Sequence, residues 1–319
     1  MTIKKHSLLF SKPDLDEQRS MNKGYLIILT GYIGWGLFPL YWSLLAHIAP
    51  LEVLLHRILW STPVLLLLVS LSLRRRQQVM SAFRSWPEVR LLAISSFFIC
   101  ANWGIYIWAV ANHRVIEASM GYFLTPLLNV IAGLIFFGEK LNRLKLIAIG
   151  FAALGVAYYI SNIAEFPWVA LGVGFSFASY GLLRKKMDTN AVPGLLVETL
   201  LLLPFTLAAL IWLHLNGQAM FLNLNSSTDL LLVLGGPITV IPLAFFTSGT
   251  RLLPMTSVGI LFYVTPTLQF LSGVMILGEA FNQDKLIGFA GIWIGLAIFT
   301  FSLILGHSNR QKRNPTEIG

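Results

Sequence analysis

The sequence predicts an all-α membrane protein, with ten transmembrane helices arranged as two inverted five-helix repeats. Three observations carry that prediction. Only 12% of the 319 residues are charged and 56% are hydrophobic, with a mean hydropathy of +0.72, whereas a soluble chain of ordinary composition carries about 25% charged residues. Ten apolar runs, each near the roughly 20 residues needed to cross the hydrocarbon core, follow one another at short spacing. The second half of the chain also repeats the glycines, prolines and polar positions of the first. No stretch is left for a sizeable water-soluble domain, which excludes a soluble enzyme, a nucleic-acid binder and a single-span receptor. The formal net charge of +9 reflects basic residues between apolar runs, where they orient helices, so no nucleic-acid partner is expected and the bilayer is.

Residues 1–22 form a tail with Lys4, Lys5, Lys12 and Arg19. Its one apolar stretch, Ser7 to Phe10, is far short of a signal-peptide core, so the tail reads as cytosolic and Met21 as an alternative start. The runs then fall at 24–46, 51–73, 90–111, 116–137 and 144–161, and again at 167–185, 192–213, 229–249, 255–277 and 286–305, each bounded by charges, prolines or polar clusters. They divide the chain into a first repeat over 23–161, a second over 162–306 and a cytoplasmic tail over 307–319. Nearly all of the 23 Lys and Arg residues fall in the two tails and in every second connection, leaving Arg114 and Lys285 on the other side and Arg57 inside a span. That bias places both termini in the cytoplasm and demands an even number of spans.

The repeat is visible residue by residue. Thr125-Pro126, Gly133, Gly138-Glu139, Asn142, Lys145 and Gly155 superpose in order on Thr265-Pro266, Gly273, Gly278-Glu279, Asn282, Lys285 and Gly295, and Gly31 and Pro63 on Gly172 and Pro204. Each half holds an odd number of spans, so the second crosses the membrane upside down. The charges agree: Lys140 and Arg143 follow Gly138-Glu139, whereas Asp284 and Lys285 follow Gly278-Glu279. Inverted repeats place a binding site at the midplane between the halves and work by rocking one half against the other; stabilising a bundle is the plainer use of the same duplication.

Several residues do not belong in lipid. Arg57 lies within the second span beside His56, where a charge costs about 2.5–3.5 kcal/mol on insertion scales. It either snorkels to the nearby helix end or binds an anionic group or a carboxylate. Arg57 stands to Pro63 as Glu198 stands to Pro204, but inversion sends the two toward opposite faces and separates them. Glu198 is a candidate carrier of a coupling proton, and equally a helix-start carboxylate stabilised by the helix dipole. Tyr122, Pro126, Asn129 and Gly133 share one face of the fourth span, and Phe262, Pro266, Gln269 and Gly273 repeat them on the ninth. A proline frees a carbonyl and an amide adds a donor and acceptor, which serves a polar substrate or glues helices. Trp35, Asn102, Trp103 and Tyr106 lie deep enough to line a cavity or to pack. Trp86, Trp168 and Trp42 are placed for the headgroup belts, and Glu117 and Glu139 for solvated helix ends. The substrate-binding candidates are therefore Arg57, His56, Asn102, Tyr106, Tyr122, Asn129 and Gln269, in a cavity lined by spans two to four and seven to nine.

The lone cysteine, Cys100, permits neither an intrachain disulfide nor a multi-cysteine metal site. No glycine-rich phosphate loop, no paired aspartates within a span and no His-Glu-x-x-His stretch occur, so neither an enzyme nor a cofactor is expected. The duplicated pattern from Pro126 to Glu139 and from Pro266 to Glu279 resembles the EamA domains of the drug/metabolite transporter superfamily. His56 to Ser61, Glu117 to Phe123, Phe175 to Lys186 and Glu198-Thr199 before Pro204 look like its RarD branch, the chloramphenicol-sensitive proteins of bacteria. The match covers about residues 22–306. It implies an inner-membrane transporter that works without ATP, possessing no agreed coupling residue, with a small polar or amphipathic metabolite or drug as substrate, chloramphenicol among the candidates. A homodimer is compatible with it. The rival is a membrane scaffold or sensor that affects drug susceptibility without transporting.

Overall fold

The computed structural model describes residues 15–137, 143–162, 166–253 and 255–313, with side chains described except at 15–20, 136–137, 255–256, 303 and 306–313. Among these the chain is helical throughout. The first span is α1 (Leu15–Gly36) followed by α2 (Phe38–Ser43), broken at Leu37. Pro39, in the first turn of α2, causes the break: it has no N–H to give the Trp35 carbonyl four residues back. The second span is α3 (Pro50–Ser70); α4 (Leu73–Arg84) lies between it and α5 (Trp86–Ala111), the third. Spans four to eight are α6 (Val115–Phe137), α7 (Arg143–Asn162), α8 (Trp168–Arg184), α9 (Ala191–Leu215) and α10 (Ser226–Gly249). The ninth is assembled from α11 (Met255–Leu261), α12 (Val264–Leu271) and a π-helical turn, Ser272–Ile276, and the tenth is α13 (Gln283–Arg313). Among the described residues nine helical stretches are long and apolar enough to cross a bilayer. The tenth, α8, has 17 residues, about 26 Å at 1.5 Å per residue, the short limit for a span.

Besides the broken first span, two elements depart from expectation. The ninth span is not one helix over 255–277, because Pro266 cannot donate to the turn before it and the chain restarts at Val264. The basic segment after the second span is not a plain connection but the amphipathic helix α4. Its Ala82, with Val79, packs on Val197 and Met187, and Leu73, Met80 and Phe83 are exposed. Arg75 donates to the Leu68 carbonyl at 2.9 Å and Arg76 to the Ser70 carbonyl, satisfying the orphan carbonyls at the end of α3. The repeat's Glu139, Lys140 and Asn142 lie outside the described residues.

Helix packing obeys the sequence repeat. Span one lies on eight as span six lies on three; four lies on six as nine lies on one; two lies on eight as seven lies on three; and the pairs five with ten, two with seven and four with nine map onto themselves. Exchanging the first five spans for the last five thus preserves these principal pairings, as two inverted five-helix repeats require, whereas one on three, three on four and four on ten have no equally extensive counterpart in six on eight, eight on nine or five on nine. The equivalent contacts are unequally made: four on six is more extensive than nine on one, and two on eight more than seven on three. Glycines set the closest approaches. A Cβ on Gly155 of α7 would stand 2.5 Å from the Gly288 carbonyl of α13, and one on Gly174 of α8 2.9 Å from the Gly121 carbonyl of α6. Small residues at such crossings let backbones pack where no hydrophobic force drives helices together.

Candidate functional site

Arg57 lies about two turns into α3 and is 4% exposed, so it does not snorkel. Its guanidinium sits 4.1 Å from the centre of the Trp103 ring, 5.1 Å from that of Trp42 and 5.4 Å from that of Phe38. These rings come from α5 and from α2, and each offers its negative face to the cation. Such contacts are worth about 2 kcal/mol or more when desolvated, comparable with the cost of inserting the charge. Among the described residues Arg57 has no ion-pair partner, and its Nε has no hydrogen-bond partner. The break at Leu37 builds the cage: a straight first span would carry Phe38 and Trp42 along the α1 axis.

The other candidates sort themselves around this cage. Tyr106 is 2% exposed, belongs to the same buried cluster as Phe38 and Trp42, and its hydroxyl has no partner. Tyr122 packs on Tyr106 with ring centres 5.8 Å apart and donates to Asn102 Oδ1 at 2.9 Å. Asn102 in turn donates to the Val173 carbonyl at 3.0 Å and to Ser176 at 3.1 Å, so it binds α5, α6 and α8 together and has no donor left over. His56 turns away from the cage: its ring centre is 4.5 Å from that of Phe221 and its Nδ1 accepts from Trp60 Nε1 at 3.1 Å. Gln269 donates to the Trp35 carbonyl at 3.2 Å, the oxygen that Pro39 leaves unpaired, and so ties span nine to span one. Asn129 is exposed, its Oδ1 3.9 Å from the Cβ position of Gly181.

Glu198 is wholly buried at the basic end of the bundle. It accepts from Ser95 at 2.5 Å and Tyr180 at 3.2 Å and faces Arg184 at 3.6 Å, which joins α5, α8 and α9 through one carboxylate. It stands two turns inside α9, past the first turn where a helix dipole acts, and its cation is Arg184, not Arg57. At the opposite end three carboxylates cap backbone amides of other elements. Glu52 accepts from Met220 and Phe221 N–H, both at 2.9 Å. Glu117 accepts from Val169 at 3.0 Å and pairs with Arg114 at 2.8 Å. Glu279 accepts from Val115 at 2.5 Å and Ile116 at 2.8 Å. Glu117 is thus a buried clamp, 5% exposed, and not a solvated helix end; a carboxylate beside a turn reads alike in either role. Trp86 and Trp168 are exposed as belt residues are, but Trp42, at 2%, is core. Phe38 and the contribution of span one are what sequence reasoning missed, although Gly36-Leu37-Phe38-Pro39 carries a break signal.

The sequence of residues 22–161 matches the model of the EamA-like transporter family. Among similar curated proteins, an uncharacterized transporter of Vibrio cholerae is 38% identical over 307 residues, covering 96% of this chain and all of that protein. Protein RarD of Salmonella typhi is 38% identical over 302 residues, covering 93% of this chain and all of its own. The chloramphenicol-sensitive protein RarD of Pseudomonas aeruginosa is 36% identical over 294 residues, 88% of this chain and 94% of that one. A solved crystal structure superposes with a TM-score of 0.54 at 19% identity over 88% of this chain and 98% of that one, a likeness of fold.

Proposed function

The chain belongs to the EamA-like transporter family, and from that premise we propose that this multi-pass membrane protein is a secondary permease working without ATP by alternating access. Its substrate in this reading is a small polar or amphipathic metabolite or drug. One observation carries the mechanism: the principal pairings of the ten spans map onto one another when the halves are exchanged, while equivalent contacts are unequally made. A molecule resting in one of two packings related by that exchange has the other available at similar energy, with the opposite face open. The reading includes a bacterial inner membrane, from the family, and both termini on its cytoplasmic side, from the bias of basic residues. The Arg57 cage is completed by rings of the same chain, so the site does not require a homodimer.

Uptake of labelled chloramphenicol, amino acids and organic anions into proteoliposomes, with and without a proton gradient, tests the proposal. Accumulation driven by the gradient is expected, and Arg57→Ala lowers it by about 10- to 100-fold, the worth of one hydrogen bond to a charged group. No flux of any compound by folded wild-type protein would favour a scaffold or sensor.

A further inference from the structure

We propose that the aromatic cage around Arg57 is a binding site for a small organic monoanion, a carboxylate carried on an apolar or aromatic body. This deepens the permease reading and rests on it for the ligand's passage, but not for its binding.

The warrant is a mismatch in hydrogen bonding. Buried polar groups are almost always partnered, yet Arg57 Nε, Trp42 Nε1 and the Tyr106 hydroxyl are all buried without a partner. All three belong to residues of one cluster: Trp42 holds the Arg57 guanidinium against its ring, and Tyr106 packs in the same core as Trp42. Ser61, one turn beyond Arg57 on the same face of α3, is a fourth buried hydroxyl without a partner. Arginine and indole N–H groups can only donate, and hydroxyls are able to. A set of unmatched donors around a cation calls for an acceptor carrying negative charge, and no carboxylate of the described residues supplies one to Arg57.

Charge counting narrows the class. The cage holds a single cation, so a monoanion is neutralised, whereas a phosphate dianion brings a second charge into a dry site with nothing to meet it. Planar carboxylate suits the fork of a guanidinium ringed by Trp103, Trp42 and Phe38. The same rings leave an apolar, aromatic wall for the rest of the ligand.

The test uses the detergent-solubilised full chain, with sodium benzoate, phenylacetate and indole-3-acetate as probes and the matching primary amides and phenyl phosphate as controls. Thermal unfolding and equilibrium binding are both read. We expect saturable stabilisation by the carboxylates, at least tenfold weaker binding of the amides and of phenyl phosphate, and loss of the effect in Arg57→Gln. Tyr106→Phe and Ser61→Ala leave every ring of the cage in place and remove one donor each, so they fold with undiminished stability yet bind carboxylates about three- to tenfold more weakly, the worth of one hydrogen bond. A purely structural cage leaves binding unmoved in these two variants. Amides stabilising as well as carboxylates, or both ring-conserving variants responding like wild type, would overturn the site. Carboxylate binding without flux would sustain the site and remove the permease; flux indifferent to carboxylates would do the reverse.

Discussion

Glu198 and Arg57 occupy superposed positions of the two repeats but solve burial differently. Arg57 is met by aromatic faces and no counter-charge, whereas Glu198 is met by Arg184 and two hydroxyls. Arg184 is 13% exposed and also donates to the Thr189 carbonyl at 3.0 Å, so it keeps one partner if Glu198 is neutralised. Neutralising one member of a buried pair costs about 3–5 kcal/mol, and the remaining partner puts Glu198→Gln at or below the low end of that range. The double variant Glu198→Gln/Arg184→Gln is expected to melt closer to wild type than Glu198→Gln alone, since no unpaired charge remains. If Glu198 carries the coupling proton, Glu198→Gln also removes the pH dependence of uptake while exchange of substrate across the membrane persists. Thermal melts and counterflow assays read the two effects separately. The sequence marks both residues as costly, and it separates them by inversion. It does not tell which rings surround Arg57, because adjacency of the first and third spans to the second is a property of the bundle and leaves no trace in hydropathy.

At the scale of elements, hydropathy locates every span to within a few residues, and what it misses has local physical causes. The break at Leu37 and the divided ninth span follow from Pro39 and Pro266, whose effect depends on whether another helix takes the freed carbonyl; Gln269 does so for Trp35. Helix α4 escapes a hydropathy reading because its buried stripe is narrow, only Ala82 being fully covered. The carboxylate clamps are the joints between elements. Glu279 holds the amides at the start of α6 from the far end of span nine, and its loss leaves two N–H groups short of an acceptor at about 1–3 kcal/mol each when buried. Glu279→Gln is therefore expected to lower the melting temperature by less than Glu279→Ala, since the amide oxygen still accepts. Equal melting of both variants and wild type would show that the clamp contributes nothing.

For the whole molecule, the account is that two inverted halves pack by equivalent principal contacts and exchange the tight and loose versions of each. The even span count and the duplication are legible in the sequence; the unequal packing from which the two-state reading is drawn exists only in three dimensions. Cysteines for spin labels, introduced with Cys100 replaced by Ser, can be placed at exposed sites at both ends: Asn112 with Ser226 at one, Gln77 with Ser248 at the other. Each pair spans the two halves. Distances between labels, measured by pulsed electron spin resonance in bilayers with and without a transported compound, test alternating access directly. The account predicts two populations for each pair, with the distance at one end growing as that at the other shrinks when the compound is added. A single distribution at each end, unmoved by any compound that the protein transports or binds, would contradict it.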